Sequence, residues 1–275
     1  MQRDIRWVRS PGKNQVGPEH QNRFLIEPGH WEEHDPFLML AEDWFPRGTF
    51  GPHPHRGMET VTYVLEGRLE HEDNRGGKDV LGPGDAQWMT AGRGVIHSEE
   101  PVAGDTVHSL QLWLNLPSKD KMSAPRYQTL RGDGMPVRSE AGVTVKLFSG
   151  TASGMQSDTR NIVPVTMAEL ELEPGAETVQ ELPGSYNGFL YVLEGEGRFG
   201  RDAVHGSAGQ VLWLGSAADG RANSQVRIRA ETPLRVLLYA GLPIGEPVFA
   251  RGPFVMNTKE EIVQAYRDYQ EGKFA

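Results

Sequence analysis

The chain of 275 residues contains no cysteine. It therefore has no disulfide framework and no thiolate that could act as a nucleophile or as a metal ligand. It also lacks any apolar run near the roughly 18 residues that a membrane-spanning helix needs. The polar start, MQRDIRWVRSPGKN, lacks the apolar centre of a signal peptide, so we expect a cytoplasmic protein with no membrane partner.

Positive charge is also scarce. The chain has 28 Lys and Arg against 37 Asp and Glu, which gives a formal net charge of −9. Nucleic-acid phosphates and anionic membrane surfaces both select basic proteins, so we expect direct binding to neither. A surface with this charge remains compatible with a protein partner.

Glycine and proline are abundant, with 33 and 19 residues, and they separate short segments of strand-like composition. The segments are rich in β-branched and aromatic residues and recur about every ten to twenty residues, as in β-sandwiches and barrels. They lie at 59–73, 85–91, 107–116, 143–150, 163–174, 187–200, 209–215 and 233–241. The sequence therefore predicts an all-β protein.

One clear helix is predicted, near the end of the chain, in TKEEIVQAYRDYQEGKF. Thr258 and Glu261 have the spacing of a capping box, and Gly272 suits a helix end. Helical spacing predicts that one face of this helix carries Ile262, Val263, Tyr266 and Tyr269.

The chain also contains an internal repeat. TYVLEGRLEHED at 62–73 matches LYVLEGEGRFGRD at 190–202, and GPGDAQWM at 82–89 matches SAGQVLWL at 207–214. The two blocks keep their order and nearly keep their spacing, which predicts two copies of one β unit. The alternative is that YVLEG is a strand-and-turn phrase that recurs by chance.

The residues between the two copies, 117–142, are polar and rich in turn formers. A domain boundary is expected in such a stretch. We place an N-terminal unit at residues 1–125, a C-terminal unit at 126–257, and a C-terminal helix and tail at 258–275.

Two histidines share one short segment, GPHPHRGME at 51–59. Side chains at i and i+2 of a β-strand point to the same face, so the Cα atoms of His53 and His55 would lie about 6.6 Å apart. Imidazoles at that spacing can share one metal ion. His97 and Glu99, in GRGVIHSE at 92–99, repeat the arrangement.

If the two strands meet across a barrel, they combine three imidazoles with one carboxylate. This set suits Fe(II), Mn, Ni, Cu or Zn and leaves coordination positions open. Glu59 is a further candidate if the strand continues from His55, whereas a bulge at Gly57 would turn it away. The alternative is that these are hydrogen-bonded strand histidines without a metal. We assign no role to His20, His30, His34, His71, His108 and His205.

Four blocks occur in the order HPHRGMETVTYVLEG, GDAQWMTAGRGVIHSE, LQLWLNLP and GPFVMNTKEEIVQAYRDYQEGKF. Together they resemble the pirin family of the cupin superfamily, densely in the N-terminal half and the last 25 residues, and thinly in 120–250. The resemblance implies a bicupin, which is two tandem cupin β-barrels with a C-terminal α-helix packing back on the barrels.

The resemblance also implies one divalent transition metal in the N-terminal barrel, with His53, His55, His97 and Glu99 as ligands. Fe(II) is the metal we expect, with Mn, Ni, Cu and Zn as alternatives. Glu59 then becomes a supporting residue, because its spacing to the following glycine is one residue longer than in most cupins. The second copy has ELPGSYNG at 181–188 and SAADGRANS at 216–224 in place of the two histidine segments, so we expect a metal-free C-terminal barrel.

For function, the resemblance implies quercetin 2,3-dioxygenase activity, which opens the ring of a flavonol with O2. Glu99 would take the proton of the flavonol hydroxyl, or would act only as a ligand. The alternative function is a non-enzymatic metal- or redox-sensing protein that regulates a transcription factor or a metabolic enzyme. A metal-dependent isomerase or a sugar-binding cupin is a third alternative.

A small-molecule site at a barrel mouth is commonly lined by aromatic residues and methionine. The candidates for this lining, each of which could instead belong to the core, are Met39, Phe45, Met58, Trp88, Met89 and Trp113.

Overall fold

The structure is a computed structural model that describes residues 1–216 and 223–274. Within these ranges the chain has two helices, α1 (Trp31–His34) and α2 (Lys259–Gln270), with 3₁₀ turns at Ser118–Asp120 and Gly132–Gly134. None of the helices in these ranges is long and apolar enough to cross a membrane. The strands are β1 (Ile5–Arg9), β2 (Asn14–Gln15), β3 (Gln21–Ile26), β4 (Phe37–Pro46), β5 (Phe50–His55), β6 (Met58–Glu66), β7 (Leu69–Asp73), β8 (Lys78–Leu81), β9 (Ala86–Thr90), β10 (Val95–Pro101), β11 (Thr106–Asn115), β12 (Arg126–Leu130), β13 (Val137–Glu140), β14 (Val143–Ser149), β15 (Thr151–Ala152), β16 (Met155–Gln156), β17 (Val165–Leu172), β18 (Glu177–Pro183), β19 (Asn187–Glu194), β20 (Glu196–Phe199), β21 (Val204–Ser207), β22 (Val211–Leu214), β23 (Asn223–Ala230), β24 (Leu234–Gly241), β25 (Phe249–Arg251) and β26 (Phe254–Met256).

The chain forms two compact units. The first unit consists of Gly12–Asp133 and Ile244–Ala275, and the second consists of Met1–Pro11 and Gly134–Pro243. Each end of the chain therefore belongs to the unit that is built mainly from the other half. The predicted domain bounds, 1–125, 126–257 and 258–275, stay a prediction. Ala275 lies outside the described residues.

Each unit contains one seven-stranded and one four-stranded antiparallel sheet. In the first unit the strand orders are β12-β9-β6-β11-β4-β3-β2 and β5-β10-β7-β8. In the second unit they are β1-β22-β19-β24-β17-β14-β13 and β18-β23-β20-β21. Every strand-like segment predicted above contains strand, and the expectation of an all-β protein with two related units is confirmed.

The pairing of equivalent strands confirms the repeat. Val61 of β6 lies opposite Trp88 of β9, and Phe189 of β19 lies opposite Trp213 of β22. In both units the strand that ends in YVLEG thus pairs with the tryptophan strand at the same register. A chance recurrence of the phrase does not account for this agreement, because one slipped residue would turn every side chain to the opposite face.

The interior of the second unit is filled with apolar side chains. Leu182 of β18, in the segment that replaces the histidines, is 1% exposed and packs with Val226 and Ile228 of β23. The metal-free character of this unit stays a prediction. Residues 217–222 of SAADGRANS, on which that prediction also depends, lie outside the described residues.

The C-terminal helix begins at the predicted capping box. The Thr258 hydroxyl accepts a hydrogen bond from the Glu261 amide at 3.2 Å, and the Glu261 carboxylate accepts one from the Thr258 amide at 2.9 Å. Gly272 follows the helix end with a φ of 73°, which a glycine adopts without strain. Both predicted ends of the helix are confirmed.

The predicted face of this helix is wrong at one residue. Val263 is 50% exposed, whereas Ile262 and Ala265 are buried against Phe254 in the first unit. Ile262 and Ala265 are three residues apart and therefore share a face, while Val263 is turned away by about 100° because a helix has 3.6 residues per turn.

Arg56, in the turn between β5 and β6, binds the C-terminal helix α2 through Asp268. The Arg56 guanidinium donates to the Asp268 carboxylate at 2.8 Å and to the Arg93 carbonyl at 2.6 Å. It also lies 4.4 Å from the centre of the Phe274 ring. Arg56 is buried, so loss of its anionic partner would leave a buried positive charge without compensation.

We expect Asp268→Asn to lower the free energy of unfolding by about 1–3 kcal/mol at pH 7. The hydrogen bond from Arg56 lowers the pKa of Asp268 to about 2, with Gln264 and Lys273 adding to this effect and burial opposing it. The folded state therefore binds fewer protons than the unfolded state between about pH 2 and pH 4. The stabilisation is complete above that window and is lost as the pH falls through it.

Urea denaturation of both proteins at pH 7, 5 and 3 measures this effect, and the difference between them should shrink only at the lowest pH. Asp202→Asn is the control, because the ion pair between Asp202 and Arg201 is exposed. An equal loss of stability in both variants, or a difference that does not depend on pH, would contradict the prediction.

Candidate metal centre

Three histidines converge in the first unit, and we call His53, His55 and His97 the histidine cluster. Strands β5 and β10 pair in antiparallel fashion with His53 opposite His97. The ring centres are 4.4 Å apart for His53 and His97, 4.9 Å for His53 and His55, and 5.0 Å for His55 and His97. One ring nitrogen from each residue lies within 4.8 Å of the others. The two histidine segments thus meet as neighbouring strands of one sheet, and their role as metal ligands stays a prediction.

The local sequence explains how β5 presents its histidines. β5 is an edge strand of its sheet, and an edge tolerates Pro54, which has no N–H to donate. Gly57 ends the strand with a φ of 78°, and a Cβ there would lie 1.9 Å from the Val255 carbonyl oxygen. Glu59 therefore lies in the next strand, β6, which begins at Met58 and belongs to the other sheet, and its carboxylate accepts a hydrogen bond from Thr90 at 2.6 Å.

The nitrogens of the histidine cluster are suited to metal binding. His53 donates from Nδ1 to the Gly51 carbonyl at 2.8 Å, which leaves Nε2 as the ring nitrogen that could bind a metal. Neither ring nitrogen of His97 has a hydrogen-bond partner among the described residues, and neither nitrogen of His55 makes a hydrogen bond of normal geometry there. Buried polar atoms without partners are costly, and a metal ion would satisfy them.

The electrostatic surroundings keep two of these rings neutral. Burial lowers the pKa of His55 well below its ordinary value, and the neighbouring His97 and His53 add to this, against weaker opposition from Glu99 and the Pro253 carbonyl. Burial also lowers the pKa of His97, with His53 and His71 contributing. Neutral imidazoles bind metal ions through a free lone pair, so the donor set fits a divalent transition metal.

Glu99 lies beside the histidine cluster. Its Oε2 atom is 4.0 Å from Nε2 of His97, which is too long for a hydrogen bond. Oε1 accepts hydrogen bonds from Thr62 at 2.7 Å and Gln87 at 2.5 Å, and Oε2 accepts one from Gln111 at 2.7 Å. The carboxylate is thus oriented by three donors, and its role as a fourth ligand stays a prediction.

Two further side chains fix the amides that hold Glu99. Tyr127 donates its hydroxyl to Oε1 of Gln87 at 3.0 Å, and Trp113 donates from Nε1 to Oε1 of Gln111 at 3.3 Å. Each amide therefore turns its NH2 group toward Glu99. Burial raises the pKa of Tyr127, which keeps the phenol protonated as a donor.

A cavity of about 280 Å³ opens onto the cluster. Met39, Phe45 and Trp113 line it, as predicted. The prediction is wrong for Met58, Trp88 and Met89, which are at most 1% exposed and belong to the core. The cavity is also lined by Ala41, Asp43, Phe50, His53, His55, Thr62, Leu69, Glu99, Ser109, Gln111 and Pro253.

His71, a residue without a predicted role, lies next to the cluster. Its ring centre is 5.3 Å from that of His97, and its ring stacks on Tyr127 at 4.1 Å. β7 pairs with β10 so that His71 lies opposite Glu99. The sequence holds one signal that His71 faces inward. In the strand LEHED, His71 is two residues after the buried Leu69 and therefore shares its face.

Both halves of the chain match models of one protein family. Residues 19–114 match the family described as Pirin, and residues 167–275 match the Pirin C-terminal cupin domain. A pirin-like protein of Solanum lycopersicum is 48% identical over 242 residues, which cover 87% of this chain and 81% of the relative.

Solved structures agree with the sequence relatives. GK1651 from Geobacillus kaustophilus is 55% identical with a TM-score of 0.89, covering 90% of this chain and 99% of that one. A quercetin 2,3-dioxygenase from Acinetobacter baumannii is 29% identical with a TM-score of 0.88, covering 100% and 99%. The bacterial pirin YhhW from Escherichia coli, solved in complex with nickel(II), shares the fold at 23% identity and a TM-score of 0.68, covering 86% and 98%. The expected pair of cupin domains is confirmed, and the chain belongs to the pirin family.

Proposed function

We propose that this protein is a metal-dependent dioxygenase with quercetin 2,3-dioxygenase activity. The observation that carries the proposal is the histidine cluster, in which two buried imidazoles and one half-buried imidazole converge at the wall of a largely apolar cavity beside an oriented carboxylate. The similarity to the quercetin 2,3-dioxygenase from Acinetobacter baumannii supports this reaction class. The substrates would be a flavonol and O2, and the products a ring-opened compound and carbon monoxide.

His53, His55 and His97 would hold one divalent ion, with Glu99 as the proposed fourth ligand. We propose Fe(II), and an imidazole-rich set also accepts Mn, Ni, Cu and Zn, in line with the nickel(II) in YhhW. When bound, such a metal supplies a Lewis acid and open coordination positions for oxygen donors.

The cavity walls supply substrate binding. Phe45 and Phe50 meet edge to face with ring centres 4.8 Å apart, and Leu69 continues this apolar wall. Trp113 also lines the cavity, and its ring lies 5.3 Å from that of His55. These surfaces suit a planar aromatic molecule and exclude water from the reacting face.

Glu99 would accept the proton that the flavonol hydroxyl releases. Thr62, Gln87 and Gln111 hold the carboxylate facing the cavity, so it needs little reorientation to act as a general base. Proton transfer to Glu99 would leave a neutral acid that can donate to a hydrogen-bond partner in the same site.

The test is aerobic turnover of quercetin by protein loaded separately with Fe(II), Mn, Ni, Cu and Zn, beside the metal-free protein. We expect metal-dependent loss of the flavonol absorbance with release of one carbon monoxide per quercetin consumed. His205→Ala is the control and should match the unmodified protein, because His205 is exposed and lies in the second unit. No turnover by protein shown to be loaded would overturn the enzymatic proposal and favour the regulatory alternative.

A further inference from the structure

We propose that His71 positions the metal ligand His97 by accepting, at its own Nδ1, a hydrogen bond from the His97 ring nitrogen that faces away from the metal. This inference rests on the proposed metal site. It adds a hydrogen-bond relay that runs from Asp73 through His71 to His97, a member of the histidine cluster. The relay lies on the paired strands β7 and β10 of one sheet.

The orientation of His71 is fixed from one side by Asp73. Nε2 of His71 lies 3.2 Å from Oδ2 of Asp73, while Oδ1 of Asp73 accepts from the backbone amides of Arg75 at 2.7 Å and Gly77 at 2.9 Å. A carboxylate only accepts hydrogen bonds, so Nε2 carries the hydrogen and Nδ1 of the neutral ring has a free lone pair. The stacked ring of Tyr127 restrains the imidazole further.

The free lone pair of His71 is an acceptor without a partner. Nδ1 of His71 is buried and makes no hydrogen bond within the described part of the chain. The residue as a whole is 1% exposed, so bulk solvent does not reach this acceptor. A buried acceptor of this kind is expected to face a donor.

His97, like His55, has no hydrogen bond of normal geometry among the described residues to support its ring, and His97 lies beside His71. His53 already donates to the Gly51 carbonyl, whereas His97 has no such partner in the described ranges. The His97 ring lies between His53, at 4.4 Å, and His71, at 5.3 Å. Ring nitrogens of His71 and His97 lie within 4.8 Å of each other, so a modest ring rotation brings them to hydrogen-bond distance.

The consequence of the relay is a fixed tautomer for His97. A metal-bound imidazole usually donates its other N–H to an acceptor, which orients the ring and raises its basicity. Loss of such an acceptor typically weakens metal binding by about 10–100-fold. Replacement of His71 would leave the number of imidazoles on the metal unchanged, because His71 would act on the metal only through His97.

The test uses His71→Phe, which keeps an aromatic ring against Tyr127 and removes the acceptor, with His205→Phe as the control. Zn(II) is the probe, because it allows nitrogen NMR of the loaded protein. We expect the Kd for Zn(II) to rise about 10–100-fold in His71→Phe and to stay unchanged in the control. X-ray absorption at the zinc edge should show the same number of imidazole ligands as in the unmodified protein.

Asp73→Asn is a second variant that does not depend on how well phenylalanine fits. Its carbonyl oxygen can still serve the amides of Arg75 and Gly77, while its NH2 group would donate to Nε2 of His71 and move the ring hydrogen to Nδ1. Nδ1 could then no longer accept from His97. We expect weaker Zn(II) binding and a changed ¹⁵N shift for His71.

Unchanged Zn(II) affinity in both variants, with loss of zinc in His97→Ala, would overturn the relay and leave the metal site standing. Full zinc binding by His97→Ala would instead overturn the proposed metal site. Loss of one imidazole from the zinc spectrum of His71→Phe would show that His71 is a ligand, which also overturns its positioning role.

Discussion

His97→Ala is expected to empty the metal site, with binding weakened by more than about 100-fold, because it removes a direct ligand and not only a supporting hydrogen bond. His97 lies opposite His53 and within reach of His55, so its loss leaves two imidazoles on one edge strand. The metal-free variant should remain folded, since the mutation also removes two buried nitrogens that have no hydrogen-bond partner in the described chain.

Elemental analysis of purified protein, together with circular dichroism of the metal-free forms, measures both expectations. His205→Ala is the control and should keep the full metal content. A full metal content in His97→Ala would contradict the assignment of the histidine cluster as the metal centre. Loss of metal in His205→Ala would contradict the expectation of a single site in the first unit.

Glu99→Gln is expected to lower quercetin turnover by about 10²–10⁴-fold, which is the usual contribution of a positioned general base. Metal binding should weaken much less than in His97→Ala, because the three imidazoles remain and the Glu99 carboxylate is also held by hydrogen bonds from Thr62, Gln87 and Gln111. Glutamine keeps the size of the side chain, so the cavity should keep its shape.

The measurement is turnover per bound metal ion, with metal content determined in the same samples. Glu59→Gln is the matched control, since Glu59 is equally buried but belongs to a separate cluster with Thr90. A parallel fall of metal content and turnover in Glu99→Gln would show that Glu99 acts first as a ligand. Loss of metal in Glu59→Gln would return that residue to the ligand set.

The difference between predicted and missed site residues has a simple cause. His53 and His55, and likewise His97 and Glu99, are two residues apart, and strand geometry alone makes each pair co-facial. His71 has no such companion in the sequence, and its place beside His97 depends on the pairing of β7 with β10. The cavity lining was only half predicted for the same reason. Met58 and Trp113 pack in the same apolar cluster, and the tertiary structure decides that Trp113 also lines the cavity whereas Met58 does not.

The amino-acid sequence by itself determined the local features of this protein: the strand segments, the duplicated unit, the capped helix and the two co-facial ligand pairs. These follow from spacing along the chain, because side-chain direction repeats every two residues in a strand and every 3.6 in a helix. The tertiary structure alone decided that β5 and β10 are neighbours, that three donors orient Glu99, and that each chain end joins the unit built from the other half. Such contacts join residues far apart in sequence, and their register is set by the burial of many side chains at once, which no short segment encodes.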